Sequence, residues 1–206
     1  MELALRPFSE ICFMEPPPLK HLPFPEVMQR FSWMFDEIPL NRFFVFGTMR
    51  HPVDLLLSLF NFHRNDAFTD RPYLYTGNMN FDDFIIDWCT RNADQITPQY
   101  NRFVDLKGRI FANYIISFPN LKLGFELVKS VTGTESAGAL PRANTSEYKI
   151  CRRDLTAGQL EWITERFKED IEFMSLYCDR PLREGASLAA AGGPDQGCRL
   201  LERIDD

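Results

Sequence analysis

Histidine is scarce in this chain, and neither it nor cysteine falls in a pattern that holds a metal. The three histidines, His21, His51 and His63, stand in no H-E-x-x-H relation. The five cysteines (Cys12, Cys89, Cys151, Cys178 and Cys198) are odd in number and widely spread, and no C-x-x-C occurs. No metal is therefore expected, and the cysteines read as reduced, mostly buried thiols of a cytoplasmic protein. No apolar run approaches the roughly 18–20 residues that span a bilayer, so no membrane partner is expected. The N-terminus shows no basic region followed by an apolar stretch, which argues against a secretory leader. Positive charge is in deficit, since 23 Lys+Arg against 29 Asp+Glu leave a net charge of −6. That balance excludes a broad nucleic-acid face, which needs basic residues to displace counterions. It leaves room for one local basic pocket that takes a small anion. The phosphate loop G-x-x-x-x-G-K-[ST] is missing throughout, and there are no internal repeats.

What is abundant is apolar mass. Hydrophobic residues make up 45% of the 206 and phenylalanine alone contributes 19, enough for one globular domain with a substantial core. Residues 9–14 suit a short strand, and Pro16-Pro17-Pro18 forces a loop. Val27, Met28, Phe31, Met34 and Phe35 recur at helical spacing, so 25–36 reads as an amphipathic helix. Residues 42–48 are a short apolar run of the kind a buried parallel strand shows. They lead through Met49-Arg50-His51 into a helix opened by Pro52 and running to about Arg64. A strand, a short polar turn and a helix opening with proline form the strand-to-helix junction of an α/β fold. Residues 65–79 read as a loop that covers a site. Asn80 caps a helix to about Arg91. Residues 98–113 are a short helix, a turn at Gly108 and a connector. Residues 114–118 form a second strand, and a helix from Leu121 stops at Gly133. Residues 134–150 read as loop. Thr156 and Gln159 make a capping box for one long helix over 156–175, with Leu160, Ile163, Phe167, Ile171 and Met174 as its apolar stripe. After Pro181 the composition turns small, polar and Gly-rich, as in a disordered tail over 181–206.

The junction at Arg50 is the best candidate for chemistry. Ligands of open α/β sheets bind beyond the carboxyl ends of strands, a helix start favours anions, and a guanidinium matches phosphate oxygens. Ser58 adds a hydroxyl if the anion lies along the helix. The competing reading is an arginine paired with a carboxylate and a serine packed in mid-helix. Arg64 either approaches the ligand or caps the helix C-terminus, the cap being favoured, and His63 reads as a helix-surface residue. His51 is expected to matter through its backbone. Trp88 and Trp162 read as core. Lys149, Arg152 and Arg153 form a small basic cluster that suits an anion or simply a solvated face.

The segment TMRHPVDLLLSLFNFHR resembles the 3′-phosphate-binding segment of sulfotransferases that use 3′-phosphoadenylyl sulfate (PAPS). The family pattern is an apolar strand, Arg, one variable residue, Pro, and a Ser eight after the Arg; Arg50, Pro52 and Ser58 match it. The resemblance extends over roughly 19–178. Lys20-His21-Leu22, NFDDFIIDW, Gln99-Tyr100 with Gly108, YIISFPNL, LPRANTS and the final helix with Asp170 and Tyr177 are similar to family segments in the same order. It implies a three-layer parallel sheet flanked by helices, with a helical C-terminal half, over residues 1–180. It implies sulfuryl transfer from PAPS to a hydroxyl of a carbohydrate or small acceptor, without metal. Arg50 and Ser58 would hold the 3′-phosphate, Lys20 and Arg142 would add contacts, and His21 would be the base. Arg142, Asn144 and Ser146 lie in a loop that approaches nucleotide or acceptor in the family, or else form a self-bonded turn. The family's Lys-x-Gly/Ala-Gly/Ser-Thr-Ser loop does not occur upstream of Lys20, and Pro119 replaces a Glu. Three readings therefore stand: a sulfotransferase; a non-catalytic or truncated member that keeps only the 3′-phosphate half; and, less favoured, an unrelated α/β binding protein whose Arg-x-Pro junction is coincidental. Phe-rich helices without a packing partner would favour a homo-oligomer.

Overall fold

The computed structural model describes residues 22–105, 107–140 and 150–182. The expectations at residues 9–14 and in the 183–206 part of the tail lie outside them, as do Cys12 and Cys198. The chain is mixed α/β and mostly helical, with one two-stranded parallel sheet among the described residues. No helix among them is long and apolar enough to cross a membrane. They divide into two compact units, each with its own core.

The first unit takes residues 22–49, 101–105, 107–140 and 177–182. Strand β1 (Phe46–Met49) pairs in parallel with β2 (Tyr114–Ser117), with Phe46 opposite Tyr114 and Met49 opposite Ser117. The ladder is shorter than the apolar run 42–48 suggests. Leu40–Arg42 already turns as a 3-10 helix after Pro39, and β2 offers only four partners. The sheet is thus smaller than the expected three layers require. All four residues of β2 are buried. On its other side the chain at 178–182 runs along β2, where Asp179 N–H donates to Ile115 O at 2.8 Å and Leu182 N–H to Asn113 O at 2.9 Å.

The expected helix over 25–36 is two short ones, α1 (Phe24–Arg30) and α2 (Ser32–Glu37), broken where Phe31 leaves helical dihedrals at φ −117°, ψ 32°. Neither helix fully buries a residue, although Phe24 packs on Phe111 and Phe35 on Phe43. We label as α6 the helix Leu121–Thr132, which packs Leu127, Val128 and Val131 with Tyr114 and Ile116. Its end is the expected one, with Gly133 in the left-handed region at φ 67°. Inside it, Gly124 permits a close approach to β2: a Cβ there would lie 2.5 Å from Ile116 Cγ2.

The second unit takes residues 50–100 and 150–176. Helix α3 (Pro52–Phe62) carries proline in its first turn and buries Val53, Leu56, Leu57 and Phe60. Asn80 Oδ1 accepts from Asp83 N–H at 2.9 Å and starts α4 (Phe81–Asp83). The chain continues through a π-helical turn (Phe84–Trp88) into α5 (Cys89–Arg91). Phe60, Phe81, Phe84 and Trp88 form the aromatic centre of the core, with Phe84 and Trp88 stacked at 4.9 Å.

The capping box at Thr156 and Gln159 is present and opens α7 (Ala157–Arg166). The single helix expected to 175 is two, because Phe167 steps out to φ −118°, ψ 28° with its ring buried in the core. Helix α8 (Lys168–Tyr177) follows and buries Asp170 and Phe173.

Candidate functional site

Among the residues singled out from the sequence, Arg50, His51, Ser58, Arg152 and Arg153 fall within the second unit. Lys20, His21, Arg142, Asn144, Ser146 and Lys149 lie outside the described residues. Arg50 directly follows β1 in the chain and stands two residues before the start of α3. It is half-buried, and its main chain is clamped at both polar groups by one side chain. Gln99 Oε1 accepts from Arg50 N–H at 3.0 Å, and Gln99 Nε2 donates to Arg50 O at 2.7 Å. Gln99 is itself buried. Its own N–H donates to Asp170 Oδ2 at 3.0 Å, and the N–H of Tyr100 donates to Asp170 Oδ1 at 2.9 Å. Asp170 is 0% exposed. Three segments far apart in the chain are tied together at Arg50.

His51 is the N-cap of α3, and its ring does more than the sequence reading assigned to it. Nδ1 accepts from Val53 N–H at 3.3 Å, while its carbonyl accepts from Leu55 N–H at 2.9 Å. An accepting Nδ1 requires the neutral ring with its proton on Nε2. Burial, chiefly, holds the His51 pKa below its ordinary value; the charge of Arg152 adds to this and Asp54 opposes it. The short helical turn Arg152–Asp154 is exposed and packs beside α3. It is fixed there by Asn61, whose Nδ2 donates to Ile150 O at 3.0 Å and whose Oδ1 accepts from Ile150 N–H at 3.3 Å. Arg153 is exposed, with Asp154 at 3.9 Å. Ser58 sits half-buried on α3, about 9 Å along the axis from Pro52 at 1.5 Å per residue. It shares a helix face with His51, since seven residues are nearly two full turns.

The start of α3 has a defined limit as an anion site. Pro52 has no N–H and that of Val53 is taken by His51, so the helix start has less to give an anion than its dipole suggests. Asp54 in the first turn is exposed and works against an anion there. Arg152 adds a positive charge beside His51. Among the described residues no group of three or more His, Cys, Asp or Glu is placed to hold a metal ion.

Two residues at the C-terminal end of α3 correct the sequence reading. His63 is buried rather than on the helix surface; its Nδ1 lies 3.1 Å from Leu74 O, and its ring packs on Phe68 at 4.7 Å and Trp88 at 5.1 Å. Arg64 donates to Met79 O at 3.1 Å and lies over the Phe60 ring, instead of capping α3. Both contacts fasten the loop over 65–79. So do Trp88 Nε1 donating to Leu74 O at 2.8 Å and Thr76 Oγ1 donating to Phe60 O at 2.9 Å. That loop is stitched to the core by buried bonds.

Asp170 and Gln99 entered the sequence reading only as parts of the family resemblance. One residue-level signal pointed to Asp170: it falls seven after Ile163 and three after Phe167, on the apolar stripe, where a carboxylate needs a buried partner. No protein family, curated protein or solved structure matches this chain.

Proposed function

We propose that the chain is a sulfotransferase-like protein that binds 3′-phosphoadenylyl sulfate and holds its 3′-phosphate at Arg50, with Ser58 along the same helix. The observation that carries this reading is the fixed main chain of Arg50. The junction segment, the Gln99 segment and the terminal-helix Asp170, which resemble family segments, meet there through buried and partly buried hydrogen bonds. On this reading β1 and β2 belong to the three-layer sheet of that fold. In the reaction, an acceptor hydroxyl oxygen of a carbohydrate or small molecule bonds to sulfur. The sulfur–oxygen bond to the 5′-phosphate breaks, and the phosphate oxygen leaves with the electron pair as adenosine 3′,5′-bisphosphate. His21 takes the hydroxyl proton, and Lys20 and Arg142 contribute to nucleotide binding. Positioning and charge stabilisation supply most of the rate in such transfers.

The test is transfer of label from sulfate-labelled PAPS to a panel of carbohydrate and phenolic acceptors by the full chain. Transfer establishes the enzyme. Binding of adenosine 3′,5′-bisphosphate without transfer to any acceptor supports the alternative, a nucleotide-binding member without catalysis. Absence of both rejects the reading.

A further inference from the structure

We infer that Gln99 and Asp170 are positioning residues that present Arg50 to the 3′-phosphate, a role that rests on the function proposed above. Residue 50 follows β1, so its N–H and C=O lie past the paired ladder Phe46–Met49. A primary amide supplies what a neighbouring strand would: one acceptor and one donor, arranged like a peptide group. The two bonds fix how the Gln99 amide is oriented, since only its oxygen accepts from Arg50 N–H and only its nitrogen donates to Arg50 O. The Gln99 main chain cannot drift, because the buried Asp170 carboxylate takes the consecutive N–H groups of Gln99 and Tyr100. Both bonds end on a carboxyl group that is shielded from water. Arg50 therefore enters α3 from a backbone pinned on both polar atoms, so that its side chain starts from one fixed point.

Gln99→Glu isolates the role. It keeps the acceptor for Arg50 N–H and places a carboxylate oxygen against Arg50 O, where a donor is required. Titration of the full chain with adenosine 3′,5′-bisphosphate should show at least about fivefold weaker binding, the effect of one lost hydrogen bond. Adenosine 5′-phosphate, which lacks the 3′-phosphate, should bind both proteins equally. In an Arg50→Ala background the Gln99→Glu loss should vanish, because the two residues act as a unit. Asp170→Asn is the second variant and should weaken the same ligand selectively. Equal binding of the 3′,5′-bisphosphate by wild type and Gln99→Glu, or a loss that persists in the Arg50→Ala background, overturns the inference while leaving the 3′-phosphate site standing. Wild type that binds no adenosine 3′,5′-bisphosphate overturns both. Faster exchange of the Arg50 amide is expected in Gln99→Ala, which removes its acceptor, whatever the ligand result, and unchanged exchange there refutes the positioning by itself.

Discussion

The loop over 65–79 should owe much of its order to one imidazole. In His63→Ala the Nδ1 contact to Leu74 O at 3.1 Å is lost, together with ring packing on Phe68 and Trp88. The hydrogen bond contributes about 1 kcal/mol. Removing a ring that is only 4% exposed adds roughly 2 kcal/mol for lost contacts and the cavity left behind. The sum of about 3 kcal/mol corresponds to a Tm lowered by roughly 6–12 °C for a chain of this size. Thermal melts followed by tryptophan fluorescence at pH 7.5 read this directly, because Trp88 lies beside the lost ring. The same residue fixes a sign with pH. Burial lowers the His63 pKa below 6.5, against the opposing bond to Leu74. The unfolded chain therefore takes up the proton first as pH falls. The stabilisation is fully present above pH 6.5 and is lost as pH drops through the lowered folded value. Wild type should thus lose more stability between pH 7.5 and 5 than His63→Ala does. A Tm change under about 2 °C, the response of a surface histidine, would refute the reasoning.

Three further outcomes follow from the same geometry. His51→Ala should cost about 1 kcal/mol as a lost helix cap, and wild type should lose that contribution on acidification, since protonating Nδ1 removes the acceptor for Val53 N–H; chemical denaturation at pH 7.5 and 5 measures both. Gly124→Ala should destabilise by about 1–3 kcal/mol despite alanine's better helix propensity, because its methyl would meet the Ile116 side chain at 2.5–2.8 Å; unchanged urea denaturation would contradict the close approach. Burial pushes the Cys89 and Cys178 thiols up to about 12, so both should resist iodoacetamide at pH 8 in the native protein, while the partly exposed Cys151 is alkylated; peptide mass spectrometry assigns the sites.

Short-range signals carried most of the legible structure. Pro52 at the start of α3, the Asn80 cap, the Thr156–Gln159 box and Gly133 all act within a few residues of themselves, and each stands where the sequence placed it. The breaks at Phe31 and Phe167 were not legible, because neither residue is a glycine or proline and helical periodicity runs on through both. His63 was misread because its buried state depends on Leu74, Phe68 and Trp88 closing over it, contacts made by a loop without periodicity. At the candidate site, the sequence singled out Arg50 and Ser58 by spacing. The Gln99 clamp links side chain to backbone across 49 residues, and no local pattern encodes such a bond. The basic pair Arg152–Arg153 was visible as composition, but only the Asn61–Ile150 bonds show that Arg152 stands beside α3.

The central claim is that Arg50 receives a 3′-phosphate, and calorimetric titration of adenosine 3′,5′-bisphosphate into wild type and Arg50→Ala tests it most directly. Losing a charge-assisted contact of about 1.5–3 kcal/mol predicts binding weakened roughly 10- to 100-fold in the variant, with adenosine 5′-phosphate unaffected. Equal affinity of the two proteins for the bisphosphate would contradict the account.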